Sequence, residues 1–278
     1  MQETTQTKNA PVFSNTVLCT AFFELFNEDA LETMARMQND SVDLVVTSPP
    51  YDGIRLYNGY SFDFENIAKE LFRVLKQGGV IVWIVGDATV NGSESGTSFK
   101  QALYFKEIGF NLYDTMIYKK INPIPLNHKR YEQSFEFMFV LSKGIIKTFN
   151  PIKEPCIHAG IEKSKKRTFY HNSSSNTTMG NRNTKTNDLK IKQNIFEYSV
   201  GRNKYKHPAP FPEDLANDHI ISWSNEGDLV YDPFAGSGTT GKMAILNNRK
   251  CVMSEISKEY CHIIDRRLSN LSYQSGLF

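Results

Sequence analysis

"DLVYDPFAGSGTTGKMAILNN", residues 228–248, runs from a short apolar stretch through a glycine-rich turn into a helix-forming stretch. Leu229, Val230 and Tyr231 read as a buried strand, closed by an acid, Asp232. Gly236 and Gly238 allow the backbone of the turn to approach a ligand closely. A helix beginning near Thr239 aims its free amide groups back over that turn. Strand, glycine turn and helix in this order are a unit of an open α/β sheet, and such sheets bind ligands at the carboxyl ends of their strands.

Working outward, "KCVMSEI" (250–256) is a further strand ending in Glu255, which lies 19 residues after Gly236. An acid in that place typically binds a ribose diol. Upstream, "ENIAKELFRVLKQGG" (65–79) spaces Ile67, Leu71, Val74 and Leu75 as the apolar stripe of a helix, with Gly78 and Gly79 as its stop. "VIVWIVGD" (80–87) follows as a buried strand ending in Asp87. A helix over about 98–108 and strands in "LYDTMIYK" and "SFEFMFVLSKG" come next. "FPEDLANDHIISWS" (211–224) is a helix with Pro212 in its first turn and Ala216, Ile220 and Trp223 on one face. Strands alternating with helices predict a parallel or mixed sheet wound on both faces.

"VTSPPYDG" (46–53) ends another buried run, "DLVVTS", with two prolines that stop its ladder and leave a stiff stub carrying Ser48 and Tyr51. Taken alone, a Pro-Pro pair after a strand is an ordinary loop entry. Its interest comes from the neighbouring motifs.

Of 278 residues, 40% are hydrophobic and 22% charged, an ordinary composition for one large core plus an insertion. No apolar run approaches the roughly 18 residues that a bilayer requires. The opening "MQETTQTKNA" has no signal-peptide pattern, so a cytoplasmic location is expected. Cys19, Cys156, Cys251 and Cys261 are scattered and no H-E-x-x-H occurs, so reduced thiols and no metal centre are expected. Net charge is only +2, yet residues 143–206 hold 14 Lys and Arg against 4 Asp and Glu, leaving 18 against 26 elsewhere. That segment, rich in Asn, Ser and Thr, breaks the α/β rhythm. The expected division is a first half over 1–147, an insert over 148–205 and a second half over 206–278. A charge-rich insert is commonly a solvated loop. Here, however, Lys165, Lys166, Arg167, Arg182 and Lys185 stand among Phe169, Tyr170, His171 and Asn172, a mixture suited to phosphates and base edges.

The glycine turn admits two readings. Gly236 to Lys242 nearly matches the phosphate loop G-x-x-x-x-G-K-[ST], but Met243 replaces the hydroxyl that holds magnesium, and Asp232 would oppose a triphosphate. The alternative is a cofactor with a ribose, a carboxylate and no phosphates, and S-adenosylmethionine fits that description.

With "TSPPY" (47–51) and "DPFAGSGTT" (232–240) in hand, the chain resembles the amino-group DNA methyltransferases, in the circularly permuted β order in which the catalytic motif precedes the cofactor turn. "FNEDALETMARMQNDSVDLVVTSPPY" (26–51) resembles that family's entry into its catalytic strand, and "KHPAPFPEDL" (206–215) its motif before the turn. The resemblance implies an α/β fold: a seven-stranded, doubly wound Rossmann-like sheet with the basic insert as target-recognition region. It implies S-adenosylmethionine as cofactor, with Asp29 at the adenine amino group and Glu255 at the ribose. Lys206, His207, Pro208 and Phe211 would close over the methionine end, and Asp232, Phe234, Ala235, Gly236, Ser237, Gly238 and Thr239 would form the turn. Ser254 stands where a glycine is common before the acid.

On that reading Ser48 Oγ and the Pro49 carbonyl accept hydrogen bonds from an exocyclic amino group, Pro50 stiffens the stub, and Tyr51 stacks on the base. Asp87 either lines this pocket or caps a helix, and Arg55 and Tyr57 either clamp DNA or are solvated. The favoured activity is methylation of cytosine N4 in duplex DNA. Adenine N6 is the first alternative, and a DNA-binding module without catalysis the next. Relatives of the β group are often dimers, and a partner restriction endonuclease would fit a modification system. The sequence leaves both open.

Overall fold

The computed structural model describes residues 16–19, 22–50, 62–123, 130–157, 187–200 and 212–274. In chain order the elements are β1 (Thr16–Cys19), β2 (Phe23–Phe26), α1 (Ala30–Arg36), β3 (Val42–Thr47), α2 (Phe64–Val74) and β4 (Leu75–Val85). Next come β5 (Thr89–Val90), β6 (Ser93–Glu94), α3 (Thr97–Glu107), β7 (Asn111–Lys120), β8 (Phe135–Ser142), β9 (Lys153–Pro155), β10 (Leu189–Ile191) and β11 (Ile195–Tyr198). The chain closes with α4 (Glu213–Trp223), β12 (Leu229–Asp232), α5 (Thr239–Leu246), β13 (Lys250–Ser254) and α6 (Lys258–Gln274).

Two compact units result: Met1–Asn150 together with Asn194–Phe278, and Pro151–Gln193. The first is built on a nine-stranded sheet of order β1-β2-β13-β12-β3-β4-β8-β7-β11. From β2 to β4 every pairing is parallel, whereas β8 runs antiparallel to both β4 and β7. The count exceeds the expected seven because β1 and β11 extend the two edges. β11 falls within 148–205, the stretch read as an insert. It joins β7 because Phe196 and Tyr198 alternate with exposed residues and bury themselves on the sheet. In the second unit, β9 and β10 pair antiparallel.

The parallel strands are apolar on both faces because helices cover both. On one face α1, α2 and α3 contribute Met34, Ile67, Leu71 and Phe105 to a cluster with Val45, Ile81, Trp83, Phe139 and Tyr231. The intervening residues of β3 and β4, Leu44, Val46, Val80 and Val82, are equally buried on the opposite face, where α4 packs on β3 and α5 on β12 and β13.

Helix α2 carries the expected stripe, but Gly78 and Gly79 do not stop it. The helix ends at Val74 and β4 starts at Leu75, so the glycines lie inside the strand. Their reason is close approach. Gly78 has φ +82°, its amide donates to the Lys143 carbonyl, and a Cβ there would meet Lys147 Cγ at 2.5 Å. Cys251 and Cys261 are buried thiols. No helix among the described residues is long and apolar enough to cross a membrane.

Candidate active site

β3 and β12 lie side by side and parallel, so "TSPPY" and "DPFAGSGTT" leave the sheet together although 185 residues separate Thr47 from Asp232. The Thr47 hydroxyl donates to Asp232 Oδ1 at 2.7 Å, and the Phe234 amide donates to the same oxygen at 3.1 Å. Burial raises the Asp232 carboxyl to about 6 in spite of these donors. A second tie runs from the Thr240 hydroxyl on α5 to the Val46 carbonyl on β3, at 3.0 Å.

In the turn after Asp232 the glycines are required by backbone conformation. Gly236 and Gly238 adopt left-handed φ values of +53° and +77°. The Gly238 amide closes the turn onto the Ala235 carbonyl at 2.7 Å, and the Ala235 amide anchors it to the Ser254 carbonyl at the end of β13. α5 then lies close on β13, where a Cβ at Gly241 would collide with Met253 Sδ.

Glu255 follows β13 and faces back into the turn. One carboxylate oxygen accepts from the Gly236 amide at 2.7 Å and the other from the Ser257 amide at 2.8 Å. Burial, with a smaller contribution from the charge of Asp232, lifts this group to about 7. Asn27 donates to the Glu255 and Ile256 carbonyls and so ties the end of β2 to the end of β13. The Ser254 side chain does not intrude on the turn: its hydroxyl is buried 2.9 Å from the Tyr231 hydroxyl. Asp29 follows β2 as the N-cap of α1 and accepts from the Leu31 amide at 2.8 Å, which leaves lone pairs for another donor.

The carboxyl ends of β2, β13, β12 and β3, four neighbouring parallel strands, therefore lead to Asp29, Glu255, the glycine turn and Ser48 in that order. Ser48 and Pro50 are half-buried and Pro49 is buried. Tyr51, Arg55, Tyr57, Lys206, His207, Pro208 and Phe211 lie outside the described residues, as do Lys165, Lys166, Arg167, Arg182 and Lys185. Asp87 resolves as a cap: it accepts from the Ser98 amide and hydroxyl and from the Ser95 hydroxyl at the start of α3. Lys242 is turned to α4, where its ammonium holds both carboxylate oxygens of Glu213 at 2.7 and 2.8 Å. That engagement, with Met243 following, weighs against the phosphate-loop reading.

Two features of the site escaped the sequence reading. Phe234 meets Phe62 and Trp83 edge to face, with centroids 5.5 and 6.3 Å away. Arg267 on α6 donates to the Ser237 carbonyl inside the turn at 2.7 Å. The available signal for Arg267 was its place beside Ile264 and Leu268, on the apolar side of its helix.

Comparison with known proteins agrees with this geometry. The chain is 51% identical over 237 residues to the orphan methyltransferase M.BamHII of Bacillus amyloliquefaciens, covering 83% of this chain and 89% of that one. It is 28% identical over 267 residues to the DNA adenine methyltransferase YhdJ of Escherichia coli K12, covering 91% and 84%. Among solved structures, the M1.HpyAVI–SAM complex matches with a TM-score of 0.58 at 26% identity, over 88% of this chain and 99% of that one. Residues 42–266 match the model of the family N6_N4_Mtase, described as DNA methylase, and the chain belongs to that family of DNA amino-methyltransferases.

Proposed function

We propose that the protein transfers a methyl group from S-adenosylmethionine to N4 of cytosine in duplex DNA, at a short specific site. The observation that carries this reading is the Thr47–Asp232 hydrogen bond, which fastens the residue before Ser48 to the strand end that opens the cofactor turn. An amino-group acceptor and a cofactor turn are thereby held in register by the sheet itself.

The residues present fit this cofactor. The carboxyl of Glu255 suits a ribose diol, Asp29 suits an adenine amino group, and the amide groups at the start of α5 suit a carboxylate. S-adenosylmethionine supplies, when bound, an electrophilic methyl group on its sulfonium. The work left to this chain is orientation. An exocyclic amino nitrogen is a poor nucleophile because its lone pair is delocalised into the ring. Ser48 Oγ and the Pro49 carbonyl accept its two N–H groups and turn the nitrogen toward the methyl donor. Proline has no N–H to compete and its fixed φ aims the carbonyl. Tyr51 offers a face on which an extruded base stacks. Holding the partners in place supplies most of the acceleration, and no covalent enzyme intermediate is required. The basic insert supplies phosphate and base-edge contacts.

Adenine N6 is the second reading, favoured by the name of the Escherichia coli relative. Both bases present the same two-hydrogen amino group, and the lean to cytosine rests on the resemblance at Ser48. Incubation with unmethylated DNA and labelled S-adenosylmethionine, followed by digestion and mass-detected chromatography, should place the label in N4-methyldeoxycytidine. Label in N6-methyldeoxyadenosine would replace the base but keep the chemistry. No label with cofactor bound would favour a binding module.

A further inference from the structure

Arg267 is the first residue beyond the stretch that matches the family, and its side chain is only 6% exposed. Its guanidinium forks between two segments. Nη1 donates to the Ser237 carbonyl at 2.7 Å and lies 3.3 Å from the Thr239 hydroxyl, while Nη2 donates to Glu213 Oε1 at 2.5 Å. Glu213 opens α4 and also receives Lys242 from α5. Burial alone would raise the Glu213 carboxyl, but hydrogen bonds from Lys242 and Arg267 outweigh it and keep the group ionised below the usual carboxylate range.

The Ser237 carbonyl belongs to the peptide between Ser237 and Gly238, whose amide closes the turn on Ala235. With the carbonyl held by Arg267 and the amide held by Ala235, that peptide plane has a single orientation, in a stretch where left-handed glycines would otherwise permit several. Through Glu213 the same guanidinium fixes the start of α4. A planar fork of this kind loses little freedom per bond formed, which an ammonium on a flexible stem does not match.

We propose that Arg267 is a positioning residue for the cofactor: it holds the glycine turn, and ties it to the first turn of α4, before S-adenosylmethionine arrives. This rests on the reading of that turn as the S-adenosylmethionine site.

The test uses the full chain with Arg267→Met and Arg267→Lys, titrated calorimetrically with S-adenosylmethionine without DNA, alongside steady-state kinetics. Arg267→Met should raise the cofactor Kd and KM by about tenfold or more. Its kcat at saturating cofactor and its KM for DNA should stay within about twofold of the parent. Arg267→Lys, able to reach one partner only, should fall between, and it serves alone if Arg267→Met does not fold. A merely structural role would lower the melting temperature or the active fraction with cofactor Kd and KM unmoved. That result, or a fall in kcat at unchanged KM, would overturn the inference. If the unsubstituted protein itself binds no S-adenosylmethionine, the methyl-transfer reading falls, and this inference with it.

Discussion

Burial, helped by the nearby charge of Asp232, makes the Glu255 carboxyl take its proton more readily in the folded chain than in the unfolded one, with a folded value of about 7 against an ordinary 4.5. Between those values the native state binds more protons than the unfolded state, so stability falls as pH rises through the window from about 4.5 to 7. Binding a ribose diol asks for the opposite, an ionised group with free lone pairs. Cofactor affinity should therefore weaken as pH drops below about 7, a trend that calorimetric titration between pH 5.5 and 8.5 would reveal or refute. Glu255→Gln separates the two demands. At pH 8 it removes a buried charge but turns an NH2 toward one of the two amides that the carboxylate accepts, so the stability of the free protein should depend less on pH than the parent's, while the cofactor Kd rises by about 10–100-fold. Thermal melts at pH 5 and pH 8 and one titration check both halves. That Glu255 ends the strand beside the turn was legible in the sequence from its distance to Gly236. Its engagement with the Gly236 amide was not, because that bond exists only once β12 and β13 are in register.

At the level of elements, Asp87 shows how a residue next to chemistry serves structure. It satisfies the Ser98 amide and hydroxyl at the first turn of α3, whose N-terminal Gly96 offers no side chain for the task. Asp87→Ala should cost about 1 kcal/mol and lower the melting temperature by about 2–4 °C, with kcat within about twofold of the parent. A large fall in kcat without a change in melting temperature would return Asp87 to the pocket. Helices α2 and α4 were legible because an apolar stripe repeats locally. The start of β4 was not, since the demand for glycine at Gly78 comes from Lys147, beyond the end of β8. Nor was β11, four residues long, whose two buried aromatics sit in a stretch dominated by cations.

Across the whole molecule, the order of motifs along the chain is not their order in space: "TSPPY" comes first and the glycine turn far later, with 185 residues separating Thr47 from Asp232. The sheet resolves this by placing β12 directly beside β3, and the chain between them both builds β4, β8, β7 and β11 of the same sheet and carries the basic segment. That chain carries the charge imbalance, with 14 Lys and Arg against 4 Asp and Glu over residues 143–206 and an acidic balance elsewhere. A near-neutral protein acting on a polyanion gains affinity by collecting its cations in one segment, because each neutralised phosphate releases condensed counterions. Replacing Lys165, Lys166 and Arg167 together by Gln should weaken duplex binding and flatten the slope of log K against log salt by roughly 0.9 for every phosphate that is no longer neutralised. S-adenosylmethionine affinity measured without DNA should be unchanged, since these residues belong to no part of the cofactor turn. Fluorescence anisotropy of a labelled duplex over a salt series gives the slope directly. A slope equal to that of the parent would mean that these three cations meet solvent, and that the DNA is gripped elsewhere on the chain.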